Sequence, residues 1–385
     1  MKEQAFKFID DNRAAMLNLW EELVNMESCS ADIEGVNAVA ERVKAEIEII
    51  GGTARSIELE KAGNMIVGEI AGGSKPPVML LGHTDTVFRS GEVKERPFTI
   101  KEGVAYGPGV LDMKGGIVIA LFAARALAAA GFSERPIKFA FAGDEEVAHI
   151  NSGTDELFIK EATGCAAAFN CEIGHVDNGV VVGRKGTATF KVVAHGIPAH
   201  AGIDPERGRS AILEMSHKII DIQNLSNLER GYSFNVGVIK GGTVSNAVPG
   251  CCEAEVDVRF ADQAIVPEIR TMVERTLDKT YIEGTSTELA FFKVGMQPMQ
   301  TTAGVERLFA LWKKVSEENG FGVPEPVKSG GGSDSAYTVM AGVPTICSTG
   351  VKGGKSHSKE EFAVVESLFE RAKLLAATIL RLDEM

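Results

Sequence analysis

Short apolar segments that end in acidic or histidine residues recur along this chain, and they constrain its fold more than any other feature. The clearest is residues 77–87, where an apolar run leads into His83 and Asp85. A buried strand in an open α/β sheet carries its functional residues at its carboxyl end. Because side chains alternate along a strand, His83 and Asp85 lie on the same side. A single pair of this kind is also common at ordinary strand ends. The other segments must therefore decide whether this strand end belongs to a functional site.

The same arrangement recurs at three further places. Acidic residues follow the apolar runs 137–143 and 166–170, and another lies between a glycine-rich loop and an apolar helix. These acids are Asp112, Glu145, Glu146 and Glu172. A helix N-cap or a solvated loop would explain each one alone. Their recurrence at strand ends favours one shared site, because clustered acids are costly unless a cation neutralises them.

The chain of 385 residues is long enough for two or three domains. Helical spacing of apolar residues predicts a helix over residues 4–26, and alternating strands and helices predict a mixed, largely parallel sheet flanked by helices. From about residue 180 the order becomes β-α-β-β-α-β, which predicts an inserted ferredoxin-like α+β domain. We therefore expect a catalytic domain in two parts, 1–180 and 296–385, and an inserted domain at 181–295.

Composition excludes several classes of function. The net charge of −13 argues against a nucleic-acid partner, and charged residues at 24% are typical of a soluble globular protein. The longest apolar window, residues 115–131, is interrupted by Arg125 and is too short for a membrane span. The start lacks the features of a signal or transit peptide. Six scattered cysteines without a CxxC pair indicate reduced thiols, so we expect a cytoplasmic protein.

The strand-end residues, joined by a histidine in a polar loop near the carboxyl terminus, His357, form a mixed set of nitrogen and oxygen ligands. Such a set suits divalent ions such as Zn²⁺, Co²⁺ or Mn²⁺ rather than a thiolate zinc site. The acids are too many for one tetrahedral ion. We therefore expect two metal ions per chain, Zn²⁺ being favoured, with one carboxylate bridging them.

The motifs, taken together and in order, resemble those of the M20 metallopeptidase family over essentially the whole chain. They are His83-Thr84-Asp85-Thr86-Val87, Gly107-Pro108-Gly109, Asp112-Met113-Lys114-Gly115-Gly116, Asp144-Glu145-Glu146, Glu172, Ala199-His200-Ala201-Gly202, Gly330-Gly331-Gly332-Ser333-Asp334 and His357. Within the family the glutamate carboxypeptidases are most similar, and acetylornithine deacetylases and succinyl-diaminopimelate desuccinylases are close relatives.

The resemblance implies a role for each matching residue of the catalytic domain. His83 and Glu172 would complete one metal site, Glu146 and His357 would complete the other, and Asp112 would bridge the two ions. Asp85 would fix the tautomer of His83. Glu145 would be the general base that takes a proton from the attacking water and passes it to the leaving amine.

In the inserted domain the resemblance implies a homodimer contact and substrate contacts. His200 would stabilise the oxyanion in the partner's site. Arg259 and Asn246 would bind the carboxylate end of the substrate. Gly331, in the second part of the catalytic domain, would lie against the substrate backbone, although glycines also simply turn chains, and His200 alone could be a loop histidine. A surface charge and a turn residue are the alternative interpretations of Arg259 and Asn246.

The implied activity is hydrolysis of an amide bond that releases a C-terminal amino acid, with glutamate favoured, from a peptidyl or N-acyl substrate. An N-acyl-amino-acid deacylase, either a deacetylase or a desuccinylase, is the first alternative, and a catalytically silent binding protein on the same fold is the second. A P-loop at residues 353–356 fails for lack of the upstream glycine, and a serine hydrolase lacks the Gly-x-Ser-x-Gly motif. His149 follows the acidic triplet closely, so a role near the site stays open.

Overall fold

The protein is described here by a computed structural model that covers residues 1–150 and 152–385. These residues form two compact units. Unit 1 consists of Met1–Gly183, Thr301–Lys328 and Ser333–Met385, and unit 2 consists of Arg184–Gln300 and Ser329–Gly332.

The helices and strands follow one another closely in both units. The described helices are α1 (Lys2–Asp11), α2 (Arg13–Val24), α3 (Ile33–Ile49), α4 (Glu92–Glu95), α5 (Gly115–Ala129), α6 (Thr154–Ala162), α7 (Ala211–Gln223), α8 (Val266–Asp278), α9 (Ala303–Glu318), α10 (Ser335–Met340) and α11 (Val365–Ile379). The described strands are β1 (Thr53–Ile57), β2 (Gly63–Ile70), β3 (Val78–His83), β4 (Thr99–Lys101), β5 (Val104–Tyr106), β6 (Ile137–Gly143), β7 (Ala167–Asn170), β8 (Gly174–His175), β9 (Gly179–Arg184), β10 (Gly186–His195), β11 (Ala199–His200), β12 (Ser233–Gly241), β13 (Ala247–Val248), β14 (Cys251–Phe260), β15 (Ser286–Val294), β16 (Glu325–Ser329), β17 (Thr345–Ile346), β18 (Lys352–Gly354) and β19 (Phe362–Val364).

The central sheet of unit 1 has six strands in the order β1-β2-β6-β3-β7-β17. β3 pairs in parallel with β6 and β7, and β7 pairs in parallel with β17, whereas β1 and β2 are antiparallel. The predicted mixed, largely parallel sheet is therefore confirmed. Because β6, β3 and β7 are parallel neighbours, the segments that follow them, with their acids and histidine, leave the same edge of the sheet.

Unit 2 is built on a four-stranded antiparallel sheet in the order β12-β14-β10-β15. Its two helices, α7 and α8, alternate with the strands in the predicted β-α-β-β-α-β order, and both pack against the sheet. Alternate residues of β10 and β14, among them Phe190 and Val256, are fully buried beneath the helices. This is the ferredoxin-like arrangement expected for the insertion.

The prediction of a single helix over residues 4–26 is wrong at one point. The segment forms α1 and α2, which are separated at Asn12. The side-chain amide of Asn12 donates a hydrogen bond to the carbonyl of Phe8 at 2.7 Å. Asparagine competes in this way for backbone groups that would otherwise continue the helix, which hydrophobic spacing does not reveal.

None of the described helices is long and apolar enough to cross a membrane. The apolar helix α5 is instead buried, with nearly every residue inaccessible to solvent. It packs against α1, α2, α11 and β3. A helix that is apolar on all sides is typical of the interior of a large domain.

Glycines permit three backbone segments to approach one another where β7 leads into Glu172. A Cβ atom at Gly116 would lie 1.8 Å from the carbonyl oxygen of Cys171, and one at Gly350 would lie 2.3 Å from the same oxygen. Both distances are impossible for real atoms, so the segments must carry glycine here. This close packing fixes the backbone that presents Glu172.

Replacing Gly116 with alanine should destabilise unit 1 by about 1–3 kcal/mol, the usual cost of forcing extra atoms into a packed core. Helix propensity alone would favour alanine by up to about 1 kcal/mol, so a loss can only be steric. Thermal unfolding of the metal-free protein measures the effect. Gly330→Ala is the control, because its Cβ would meet no atom within 4 Å. Equal unfolding temperatures for the two variants would contradict the close approach.

Candidate metal centre

His83 is the last residue of β3, in which all residues are buried. Its Nδ1 lies 3.0 Å from the backbone oxygen of Asp85 and 3.3 Å from the carboxylate atom Oδ1 of the same residue. Both neighbours accept hydrogen bonds, so the ring carries a proton on Nδ1. Its Nε2 faces two acids, Asp112 Oδ1 at 3.2 Å and Glu172 Oε1 at 3.8 Å.

Asp112 lies in the segment Val110–Lys114, directly before α5, where its own backbone is not helical (φ −116°, ψ 92°) and its peptide bond to Met113 is cis. Its two oxygens face two different histidines. Oδ1 lies 3.2 Å from His83 Nε2, and Oδ2 lies 3.1 Å from His357 Nε2. His357 Nε2 is also 3.2 Å from Glu146 Oε2. Asp112 is therefore placed between two groups of ligating atoms.

Two sets of three residues can each hold a metal ion, and they share Asp112. The first is His83, Asp112 and Glu172, and the second is Asp112, Glu146 and His357, with the ligand atoms of each set within 4.8 Å of one another. Within the part of the chain that the structure describes, no other group of three ligating residues meets this criterion. All five residues predicted as ligands are thus brought together in unit 1.

Asp85 holds the turn that carries the two adjacent glutamates. Its carboxylate is fully buried and accepts hydrogen bonds from the backbone N–H groups of Glu145 and Glu146, both at 3.1 Å. The Ser30 hydroxyl donates a third bond at 2.7 Å. Asp85 therefore orients the His83 ring and also fixes the position of Glu145, which is more than its predicted role of setting a tautomer.

Glu361 holds the loop that carries Asp112, and the sequence analysis missed it. Its buried carboxylate accepts backbone hydrogen bonds from Gly109, Leu111 and Asp112 at 3.0, 2.9 and 2.9 Å. Glu361 follows His357 by four residues, so one loop carries one candidate ligand and supports another. Burial raises the pKa of Glu361 to about 7 in spite of these bonds. The sequence did not indicate this role, because acidic residues near glycines are common and most of them do not support a distant loop.

The charges of the metal-free site are strongly perturbed. Burial opposes ionisation of Asp112, but hydrogen bonds from His357 and His83 outweigh it and hold the pKa of Asp112 below its usual range. The hydrogen bonds to Asp112 and Glu146 raise the pKa of His357 to about 10. Burial, with the nearby charge of Glu172, raises the pKa of Glu145 well above its usual value. In the metal-free site, protons on these side chains therefore supply part of the positive charge that bound metal ions would supply.

The residues present fit two divalent cations. The set offers two imidazole nitrogens and three carboxylates with no thiolate, which suits Zn²⁺, Co²⁺ or Mn²⁺. Glu146 Oε1 is buried without a hydrogen-bond partner among the described residues, so it is an acceptor that a cation could satisfy. Asp112 directs one oxygen to each set, as a bridging ligand must.

The residues predicted to contact substrate lie in unit 2. His200 pairs with Ala247 across β11 and β13, and the Ala201 N–H donates to the carbonyl of Asn246 at 2.9 Å. Arg259 donates to Asp257 Oδ2 at 2.8 Å and to the carbonyl of Gly330 at 3.3 Å. Gly331 therefore follows directly a residue that Arg259 contacts. The structure thus forms two groups within unit 2, His200 with Asn246 and Arg259 with the glycine-rich loop.

His149 is buried rather than exposed, and it lies between two acids of unit 1. Its Nδ1 is 2.9 Å from Asp144 Oδ1, and its Nε2 is 2.5 Å from Asp334 Oδ1. Both acids belong to motifs quoted above, yet neither was assigned a role. The sequence feature that pointed to a role for His149 near the site was its position three residues after Glu146.

Comparisons with known proteins found similar sequences and a similar fold over nearly the whole chain. Residues 79–381 match the model of the peptidase family M20/M25/M40. The chain is 30% identical to carboxypeptidase G2 of Pseudomonas sp. (strain RS-16), over 98% of this chain and 91% of that protein. It is 25% identical to a succinyl-diaminopimelate desuccinylase of Bradyrhizobium sp. (strain BTAi1 / ATCC BAA-1182), over 93% of this chain and 96% of that protein. Its fold is similar to that of aminopeptidase PepT from Bacillus cereus ATCC 10987, with a TM-score of 0.82, 21% identity and coverage of 97% and 99% of the two chains.

Metal binding should release protons. His357, with a pKa of about 10, carries a proton at pH 8 in the metal-free protein, whereas a metal ligand must be a neutral imidazole. Adding Zn²⁺ to chelated protein in weak buffer with a pH indicator should therefore release at least one proton per chain, and the apparent affinity should rise as the pH approaches 10. His357→Ala should bind one ion fewer and release less. Two ions bound without proton release would refute this assignment.

Proposed function

The chain belongs to the peptidase family M20/M25/M40, and we therefore propose that this metal-dependent hydrolase cleaves an amide bond to release a C-terminal amino acid, with glutamate favoured, from a peptidyl or N-acyl substrate. One observation carries the proposal: Asp112 directs its two oxygens to two sets of metal ligands beside a turn that presents a further carboxylate, Glu145. The similarity to carboxypeptidase G2 over nearly the whole chain supports the carboxypeptidase assignment.

The metal ligands and the base have separate tasks in this proposal. His83, Asp112 and Glu172 would hold one ion, and Asp112, Glu146 and His357 would hold the other. The ions, Zn²⁺ being favoured, would polarise the scissile carbonyl and acidify a water molecule. Glu145 accepts the proton of that water at a carboxylate oxygen and delivers it to the leaving nitrogen. Asp85 keeps Glu145 in place by binding the backbone N–H.

The substrate contacts of unit 2 are proposed from the same family resemblance. A guanidinium suits a carboxylate, so Arg259 would bind the free α-carboxylate of the released residue, with Asn246 and Gly331 alongside. The backbone N–H of Gly202 donates to Nδ1 of His200 at 3.1 Å. The neutral ring therefore carries its proton on Nε2, which supports its proposed role as a donor to the oxyanion in a partner subunit.

A deacylase of small N-acyl amino acids is the second candidate. Similarity to a succinyl-diaminopimelate desuccinylase extends over 93% of this chain, and the same metal ligands and base would serve either reaction. The two candidates differ in the acyl group, which is peptidyl in one and acetyl or succinyl in the other. We place either reaction in the cytoplasm, because the six cysteines form no disulfide and thiols persist in reducing compartments.

Chelated protein with Zn²⁺, Co²⁺ or Mn²⁺ added back should release one C-terminal amino acid from a panel of dipeptides, N-acetyl amino acids and N-succinyl amino acids. Substrates with an amidated C terminus should be poor, because they lack the carboxylate that Arg259 would bind. Cleavage of the peptides identifies a carboxypeptidase, and cleavage of the acetyl or succinyl compounds alone identifies a deacylase. Absence of metal-dependent cleavage throughout the panel would contradict both.

Replacing Glu145 with glutamine should lower kcat by about 10²–10⁴-fold, the usual contribution of a general base, while two ions per chain remain bound. The amide keeps the shape of the side chain but cannot take the proton. Glu156→Gln, an exposed residue of α6, is the matched control and should keep full activity. Substantial activity in the Glu145 variant would assign the base elsewhere.

We further propose a homodimer through unit 2. Apolar side chains are exposed on the edge strand β12 and on α7, including Ile239 at 51% and Ile220 at 59% exposure. An edge strand with exposed apolar residues is a ready surface for pairing with another chain.

Ile239→Lys should therefore convert a dimer into a monomer in light scattering after gel filtration. Ile100→Lys in unit 1, at a side chain with 43% exposure, should leave the dimer intact. A monomeric wild type, or a dimer that survives Ile239→Lys, would refute this surface.

A further inference from the structure

The histidine that follows the acidic turn, His149, contacts two acids from separate segments of unit 1. Asp144 follows β6 and directly precedes Glu145, whereas Asp334 directly precedes α10. His149 Nδ1 lies 2.9 Å from Asp144 Oδ1, and Nε2 lies 2.5 Å from Asp334 Oδ1. The imidazole therefore connects the turn that bears the proposed base to the start of α10.

The hydrogen-bond geometry gives this cluster a definite charge when both acids are ionised, and burial raises the pKa of Asp334 against that ionisation. An ionised carboxylate only accepts hydrogen bonds, so a ring bonded to an ionised carboxylate at each nitrogen donates from both. A ring that donates from both nitrogens is an imidazolium. Burial opposes this charge, but the charges and hydrogen bonds of Asp334 and Asp144 outweigh it and raise the pKa of His149 well above its usual value. The three side chains then carry a net charge of minus one instead of minus two.

The cluster is enclosed by the surrounding side chains. His149 is 6% exposed, and Asp144 and Asp334 are each 1% exposed. The imidazole packs against Phe158 and Tyr337, with ring centroids 6.2 and 5.7 Å away. In so dry an environment, two unpaired carboxylates would repel each other strongly and would lack solvent to stabilise them. Loss of the cation should therefore move the segments apart.

The backbone around His149 completes the turn that carries Glu145 and Glu146. Ala148 and His149 both have positive φ, 55° and 54°, so the chain reverses directly after Glu145 and Glu146. The backbone N–H of His149 donates to the carbonyl of Asp144 at 3.2 Å. The glutamate turn is thus held on one side by Asp85 and on the other by His149.

We propose that His149 is a positioning residue that clamps the Glu145–Glu146 turn to Asp334, and so sets the place of the general base and of one metal ligand. The inference rests on the proposed function for its effect on turnover. Its effects on metal binding and on the protonation of His149 are independent of any substrate. A residue that merely filled space would change the unfolding temperature but neither of these properties.

The first test needs no variant. Zinc-loaded protein labelled with ¹⁵N-histidine should show, at pH 8, one imidazole with protons on both ring nitrogens, well above the ordinary histidine pKa of about 6.5. This signal should disappear in His149→Asn. The control His195→Asn should retain it, since His195 lies on the surface of unit 2 with a side chain that is 49% exposed. A neutral His149 with one N–H would overturn the clamp.

The second test uses His149→Asn, because asparagine tolerates positive φ but cannot bridge two carboxylates or carry their countercharge. We expect its affinity for the second equivalent of Zn²⁺ to fall about 10-fold, as for other residues that orient a metal ligand. With both ions bound at saturating Zn²⁺, kcat should fall about 10- to 100-fold at a nearly constant KM, which is the effect of a misplaced catalytic group.

Each outcome separates the two proposals. A folded His149→Asn protein with wild-type zinc affinity and a kcat within about two-fold of wild type would overturn the clamp and leave the proposed hydrolase intact. If the wild type cleaves nothing in the panel, the zinc affinity and the NMR signal still decide the clamp.

Discussion

The metal centre depends on one carboxylate, Asp112, held between two imidazoles. Its oxygens lie 3.2 and 3.1 Å from His83 and His357. A buried carboxylate is stable only when positive charge or hydrogen-bond donors compensate it, and here both ring nitrogens that do so are also proposed metal ligands. In the metal-free protein, protons on the histidines supply that charge. Metal ions would take over the task at two sets of ligand atoms, each of which already lies within 4.8 Å of the others in its set.

The ligands are placed by backbone amides more than by side-chain packing. Glu361 accepts three N–H groups around Asp112, and Asp85 accepts the N–H groups of Glu145 and Glu146. Each supporting carboxylate thus binds the backbone of a loop and does not depend on the identity of the loop's side chains. This allows acidic loops to sit at a buried sheet edge, where irregular backbone would otherwise leave unpaired donors.

The sequence was most informative where a local pattern reports directly on structure. Apolar runs ending in polar residues gave the strands and the shared sheet edge, because strand burial and side-chain alternation are local properties. It was least informative where one residue acts on a distant backbone, as Glu361 does for Asp112, because no spacing encodes that contact. Asn12 shows a second limit, since hydrophobic spacing continues through a position where an asparagine side chain ends the helix. His149 is an intermediate case. Its position close to the acidic triplet pointed to the site, but its partner Asp334 is 185 residues away and could not be inferred from spacing.

The buried helix α5 has a consequence for how the chain acquires its structure during synthesis. It is apolar on all sides, and it packs against α1 and α2 near the start of the chain and against α11 near its end. On a ribosome the first part of unit 1 therefore emerges with this helix only partly covered, while the whole of α7, α8 and the sheet of unit 2 is translated. Unit 2, whose sheet and helices are contiguous in sequence, can complete its core first. Unit 1 becomes complete only when the last helix is synthesised, so a chain truncated before α11 would leave part of the apolar surface of α5 uncovered.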